Sequence, residues 1–388
     1  MKKILFLTNL LPVPMDTGGK IRDYHIVEYL SRKHEVWFAG FREKNLKENE
    51  TSLPFIPRER CLTTEPEDLD IRAFLRKHDV PYWCLGYYSE KMEKILDTVI
   101  EKNRFDYIHI SHSYMAQYVT KYKGVIGLVD HQNVKTILYH SACAGTNNPL
   151  RKINYSAEYY KWYKYEREVL RNFEFHLACS PVEQKAIENF VHRPVRLLPS
   201  GVDTERFYEK KGMDTGANLL FTGSFDYFPN HEAAVFFCKK ILPLIRKAVP
   251  NVVFQVVGRQ PREALEKLIR KTPNTWFSCN VRDIRPFYYQ SAVAVVPLSV
   301  GAGTRLKIPE AMATGLPVVS TSKGCEGLGL ANGEGIIIAD DPAQFAEAVI
   351  SLLKDSKARE GLSRKAAVIS RERFSWNEVL KPLDAIYL

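Results

Sequence analysis

The chain has 388 residues, of which 45% are hydrophobic and 26% charged, and it carries a formal charge of +10. It can bury a large core, its length favours two domains over one, and its charge suits nucleotide phosphates, acidic lipid headgroups or nucleic acid. Nucleic acid is the least favoured partner, because there is no long basic tail, zinc-finger spacing or RNA-binding signature, and seven scattered cysteines with no Cys-x-x-Cys pair argue against zinc and for a reducing compartment.

Met1-Lys2-Lys3 is followed by a short apolar run, Ile4 to Leu7, which ends at polar Thr8 and Asn9. The run is too short for a signal peptide or a membrane span and reads as a first strand, so the expected location is the cytoplasm. Further strands are predicted at 35–41, 107–110, 125–130, 175–179 and 195–198, with helical patterns at 19–33, 90–102 and 181–190 between them. A polar, charged linker opens at Pro199-Ser200-Gly201-Val202-Asp203 and runs to Ala217. Beyond it the alternation repeats, with strands at 218–222, 252–257, 276–279, 292–297, 317–320 and 335–338 and helices at 232–247 and 342–353. A final amphipathic helix is expected at 375–388. Short apolar strands alternating with helices predict two parallel, doubly wound α/β sheets. In such sheets ligands sit beyond the carboxyl ends of the strands.

Three features of the first half have chemical potential. Asp16-Thr17-Gly18-Gly19-Lys20 follows the first strand and opens a helix, so Gly18 and Gly19 can present amides to a phosphate or an acceptor hydroxyl. Asp130-His131-Gln132-Asn133 ends another strand at the same side of the sheet, whereas His109 and His112 read as packing or loop residues. The segment 151–171 mixes Tyr155, Tyr159, Tyr160, Trp162, Tyr163 and Tyr165 with six cations and three carboxylates. It is expected to form a long amphipathic helix with its aromatic side packed on the domain, and the competing reading is contact with anionic lipid.

The strongest signal is Gly301-Ala302-Gly303-Thr304-Arg305-Leu306-Lys307-Ile308-Pro309-Glu310, continuing through Gly315-Leu316-Pro317 into a predicted strand. Glycines let backbone approach an anion, and Arg305, Lys307 and the amides of Gly303 and Thr304 could neutralise a diphosphate. Glu310 could accept hydrogen bonds from a ribose, and Pro309 suits the first helical position. The bland alternative is a surface loop with solvated charges. Neither an Asp-x-Asp pair in a plausible loop nor a His/Cys cluster is present, so no metal or other cofactor is expected.

This segment resembles the donor-binding region of glycosyltransferase family 4, whose Glu-x7-Glu motif places Glu310 at the second glutamate; the first falls on Ala302. The nearest likeness is a subgroup associated with surface-polysaccharide assembly. The resemblance implies a GT-B architecture of two Rossmann-like domains facing across a cleft: an acceptor-binding domain at 1–204, a nucleotide-sugar domain at 205–372, and a helix at 373–388 packing back on the first. It also implies a retaining, metal-independent glycosyltransferase using a nucleotide sugar and a glycan or lipid-linked acceptor, with peripheral contact at the inner membrane face. His131 matches a family histidine near the transferred sugar. Pro199-Ser200-Gly201-Val202-Asp203 resembles the domain junction, and Gly223-Ser224 the start of the donor domain, where this chain lacks the usual neighbouring cation. Val281-Arg282 resembles the segment against the nucleobase, although Arg282 and Asp283 also suit a turn and a helix cap. Two rivals on the same fold are a sugar-nucleotide epimerase and a catalytically silent scaffold.

Overall fold

The computed structural model describes all residues except 44–51, 68–78, 147, 210–214, 260 and 302–304. The chain divides into two compact units, one comprising Met1–Pro199 with Leu380–Leu388 and the other Ser200–Val379.

In the first unit the strands are β1 (Lys3–Leu7), β2 (Glu35–Phe41), β3 (Cys61–Thr64), β4 (Tyr107–Ser111), β5 (Ile126–His131), β6 (Phe175–Ala178) and β7 (Arg196–Leu197). Among the described residues they form one sheet in the order β3-β2-β1-β4-β5-β6-β7, and every pairing is parallel. The central strands are apolar on both faces because helices cover both sides, which is why they read as continuous hydrophobic runs. β3 was not expected. It is a short edge strand whose residues are all half-buried, so it carries no apolar run to detect.

The second unit contains β8 (Asn218–Ser224), β9 (Val253–Arg259), β10 (Thr275–Cys279), β11 (Val293–Val296), β12 (Val318–Ser320) and β13 (Ile336–Ile338). Its order is β10-β9-β8-β11-β12-β13, the doubly wound arrangement whose order reverses between the first and fourth strands. In each unit the crevice at that reversal, β1/β4 and β8/β11, is where ligands of such sheets bind. β8 and β9 approach closely at their ends: a Cβ on Gly258 would lie 1.6 Å from the Gly223 carbonyl oxygen.

Three expectations need correction. The helix after the glycine-rich loop is Lys307–Ala313, so it begins before Pro309. The proline occupies the third helical position, where its missing N–H is still among the donors a helix leaves unpaired. The segment after Ser375 is two short turns, Trp376–Val379 and Lys381–Ala385, since Pro382 removes a donor from a continuing helix. The long helix Pro149–Glu168 buries Glu158, Trp162 and Glu166, and its tyrosines spread around it, with Tyr160 69% exposed. The aromatic residues occur too often in sequence to share one face, so the inward line is a spacing of four through two carboxylates and one indole.

The segment Leu380–Leu388 packs on the first unit. Tyr387 Oη lies 2.7 Å from His109 Nδ1, and Asp384 accepts hydrogen bonds from Lys33 Nζ and Tyr29 Oη.

Candidate functional site

The end of β8 gathers side chains from four elements. Gly223 lies there, and Lys307 and Glu310 reach it from the helix after β11. Asn230 comes from the helix Phe228–Phe236 and Tyr288 from the short helix Arg285–Tyr289. Lys307 Nζ donates to Asn230 Oδ1 at 2.7 Å and lies 4.4 Å from the Phe221 ring centroid. Asn230 is fixed in turn by donating from Nδ2 to the Ser224 carbonyl at 2.9 Å. A Cβ on Gly223 would come within 2.8 Å of Asn230 Nδ2 and 3.1 Å of Lys307 Nζ, so a side chain at this position would displace both. Lys307 thus places a cation beside Gly223, where the local sequence has none.

Burial and the neighbouring Arg305 push the Lys307 ammonium down to about 7, and Glu310 only partly offsets them. Among the described residues its hydrogen bond goes to a neutral amide and no carboxylate forms an ion pair with it. Arg305 is buried, and its Nη2 would be 3.0 Å from a Cβ on Gly301. With φ of +123°, Gly301 holds a backbone conformation that favours glycine.

Glu310 Oε2 accepts from Tyr288 Oη at 2.9 Å, and that hydroxyl lies 3.1 Å from Thr222 Oγ1. Burial raises the Glu310 carboxyl above its ordinary range, while Tyr288, Arg206 and Lys307 pull the other way. Tyr288, Arg206, Thr222 and Asn230 are the members that sequence reading missed. Each is a common polar residue on a separate element, and only the chain's return past β8 brings them together.

The remaining candidates divide between places. Gly303 and Thr304, together with Ala302, lie outside the described residues. Arg282 is exposed and Val281 half-buried beyond β10. Asp283 Oδ1 accepts from the Arg285 amide at 3.0 Å and its carboxylate pairs with the Arg285 guanidinium, which stiffens the turn.

In the first unit, Gly18 and Gly19 open the helix Gly18–Ser31, capped by the Thr17 hydroxyl. A Cβ on Gly19 would lie 2.9 Å from Gln132 Oε1. His131 is enclosed, 1% exposed, with Nε2 3.1 Å from His176 Nδ1. Burial and His176 hold it well below the ordinary histidine range, so the ring is neutral. Its Nδ1 has no hydrogen-bond partner among the described residues. Around it the charges are matched internally: Arg22 donates Nε and Nη2 to Asp130 at 2.8 and 2.9 Å. Asp23 accepts from Thr8, Ser111 and Gln132 at 2.6 to 2.7 Å, and burial raises it to about 7. Among the described residues no group of three or more His, Cys, Asp or Glu side chains is placed to hold a metal ion, and no helix is long and apolar enough to cross a membrane.

Comparison with known proteins fits this geometry. Residues 216–355 match the family described as glycosyl transferases group 1. The chain is 23% identical over 411 residues to an uncharacterized 44.6 kDa protein in the cps region of Klebsiella pneumoniae, covering 99% of each. Among solved structures it is similar to the sucrose-phosphate synthase of Thermosynechococcus elongatus, with TM-score 0.74, 16% identity and coverage of 100% of this chain and 98% of that one. It is also similar to Anabaena HepE in complex with UDP-glucose, with TM-score 0.68, 12% identity and coverage of 100% and 99%. The chain thus has the two Rossmann-like domains of GT-B glycosyltransferases, and the match to glycosyl transferases group 1 falls on the unit that holds Arg305, Lys307 and Glu310.

Proposed function

We propose that this protein is a retaining glycosyltransferase that moves a sugar from a nucleoside diphosphate to a hydroxyl of a glycan or lipid-linked acceptor, without a metal ion, in surface polysaccharide or glycoconjugate assembly. The observation that carries the reading is the Lys307 ammonium, pushed down by burial and by the neighbouring charge of Arg305 and set beside Glu310, at the β8/β11 crevice of the family-matched segment. A diphosphate bound there supplies a counter-charge to Lys307. As the glycosidic bond breaks, negative charge grows on the leaving phosphate, and fixed cations in a partly buried site stabilise it without reorganising. Tyr288 holds Glu310 by one oxygen, leaving the other to accept from the ribose.

In a retaining reaction the acceptor oxygen attacks the face that the diphosphate leaves, and the acceptor proton passes to the departing phosphate oxygen. The first unit holds the acceptor, with Gly18 and Gly19 presenting amides and His131 offering Nδ1 to the sugar. UDP-glucose, which Anabaena HepE holds, is the first donor to try. The likeness to a protein of the cps region supports a role in surface polysaccharide. Peripheral contact with an anionic membrane is supported by Leu150, Ile153 and Tyr160, which are 79%, 68% and 69% exposed on a helix that also exposes Arg151, Lys152 and Lys164.

The deciding experiment is a thermal-shift screen against UDP, GDP, ADP and their sugars, since a ligand of the native state alone raises the melting temperature. One nucleotide class should raise it in wild type and fail to do so in Lys307→Ala. A uniform lack of response sinks the reading.

A further inference from the structure

The first unit encloses a second cation, which donor binding does not use. Lys135 opens the helix Lys135–Ala144 just beyond β5 and is 6% exposed. Its Nζ lies 4.9 Å from the Trp83 ring centroid and 5.6 Å from that of Tyr114. Among the described residues this ammonium makes no hydrogen bond and no ion pair. The nearby carboxylates are directed elsewhere. Glu166 accepts from the amides of Lys135 and Thr136 at 2.9 and 3.2 Å and from the Thr136 hydroxyl at 2.5 Å. Glu183 accepts from the Val134 amide at 3.3 Å and from Ser180 Oγ at 3.1 Å. Both attract Lys135 through space without bonding it, and burial pushes its pKa down to about 8.

Two aromatic faces stabilise a desolvated ammonium electrostatically but satisfy none of its N–H donors. The aromatic residues form a continuous wall. Trp83 stacks on Tyr87 with centroids 6.2 Å apart, Tyr87 on Tyr114 at 5.1 Å, and His112 on the same Tyr114 at 5.1 Å. Tyr114 is fully enclosed, whereas Trp83 and Tyr87 are half-buried, so the wall reaches solvent at Trp83 and Tyr87, and Lys135 lies against both Trp83 and Tyr114. His112 is neutral, held down by burial and then by the charges of Lys135 and Arg22.

A ligand suited to this site has an apolar ring face and an anionic group. A neutral hydroxyl could accept from Lys135, but an anion also cancels the enclosed charge and makes a hydrogen bond about twice as strong. We propose that Lys135 and the Trp83–Tyr87–Tyr114 wall bind an acidic saccharide, its carboxylate or phosphate accepting from Nζ and its ring lying against Trp83 and Tyr87. This rests on the transferase reading and gives the acceptor a class: a sugar bearing a negative charge.

The test is calorimetric titration of the full chain, without nucleotide and at fixed ionic strength, with glucuronate, glucose 6-phosphate, inorganic phosphate and glucose. At least one sugar acid should bind ten or more times tighter than glucose, and which one does identifies the anionic group. Inorganic phosphate should bind at least tenfold more weakly than the preferred acid. Lys135→Met should abolish the preference, Lys135→Arg restore part of it, Trp83→Leu weaken both acids, and Lys307→Ala leave binding intact. Equal binding of glucose, a preference that survives Lys135→Met, or its loss in Lys307→Ala overturns the proposal. Nucleotide-induced stabilisation of Lys135→Met should equal that of wild type, which reports an intact fold. If wild type itself gives no nucleotide response, the transferase reading fails while the saccharide measurement still decides the site.

Discussion

The two units place charge at the same topological point and treat it differently. Beyond β1 and β4, Arg22 is bonded twice by Asp130, and Asp23 is held by three neutral donors. Beyond β8 and β11, Lys307 has a neutral amide for its hydrogen bond and Arg305 as a charged neighbour, and the nearby carboxylate of Glu310 is turned to Tyr288. A doubly wound sheet therefore does not make an anion site by topology alone. The proposed site lies where a charge is left for a ligand to complete.

The largest expected effect tests the second half of that contrast. Replacing both Arg305 and Lys307 by alanine should cut turnover by about 10⁴, from roughly 10²–10³ for each fixed donor at a developing charge, read as kcat with whichever donor the thermal screen selects. Activity near wild type would show that this charge is ordinary surface. The first half is tested by Arg22→Met, which strands the Asp130 carboxylate and should cost about 3–5 kcal/mol in denaturant unfolding, with nucleotide affinity unaltered below the melting range. Should nucleotide affinity fall as well, the Arg22 pair is not purely structural. Gly258→Ala forces a methyl onto the Gly223 carbonyl and should destabilise the second unit by about 1–3 kcal/mol, measured by chemical denaturation.

Two smaller effects report on the site itself. Glu310→Gln keeps the shape but weakens acceptance from a ribose, so nucleotide affinity should drop about tenfold, or about 1.4 kcal/mol. The pH dependence follows from Lys307, which titrates near 7 in the free protein. A bound diphosphate favours the charged amine, so binding takes up a proton and affinity should fall about fivefold from pH 7 to 8. The same depression means that the unfolded chain holds more protons than the folded one above pH 7. Stability should then rise with pH from 7 toward the ordinary lysine value, with Lys135 adding to the rise above about 8, so Lys307→Met should flatten the affinity profile and lessen the rise in stability.

Much of this was legible in the sequence. The parallel strands announced themselves as apolar runs because both faces are covered, and 35–41 and 90–102 coincide with the observed β2 and the helix Glu90–Lys102. Arg305, Lys307 and Glu310 could be grouped because they fall within six consecutive positions. Asn230, Tyr288 and Arg206 could not, since what joins them to Lys307 and Glu310 is the sheet order. Trp83, Tyr114 and Lys135 escaped for the same reason: their spacing along the chain carries no periodicity, and their meeting depends on β4 and β5 lying side by side.

The hydrogen bond between Tyr387 and His109 bears on how the molecule is made. The chain leaves the first unit at Pro199, builds Ser200–Val379, and only then returns with Leu380–Leu388. During synthesis the ribosome delivers the whole second unit before the segment that covers His109 and Lys33, so the first unit must wait, unfinished, while its younger neighbour folds. A chaperone that meets the nascent protein would find its exposed surface on the older half.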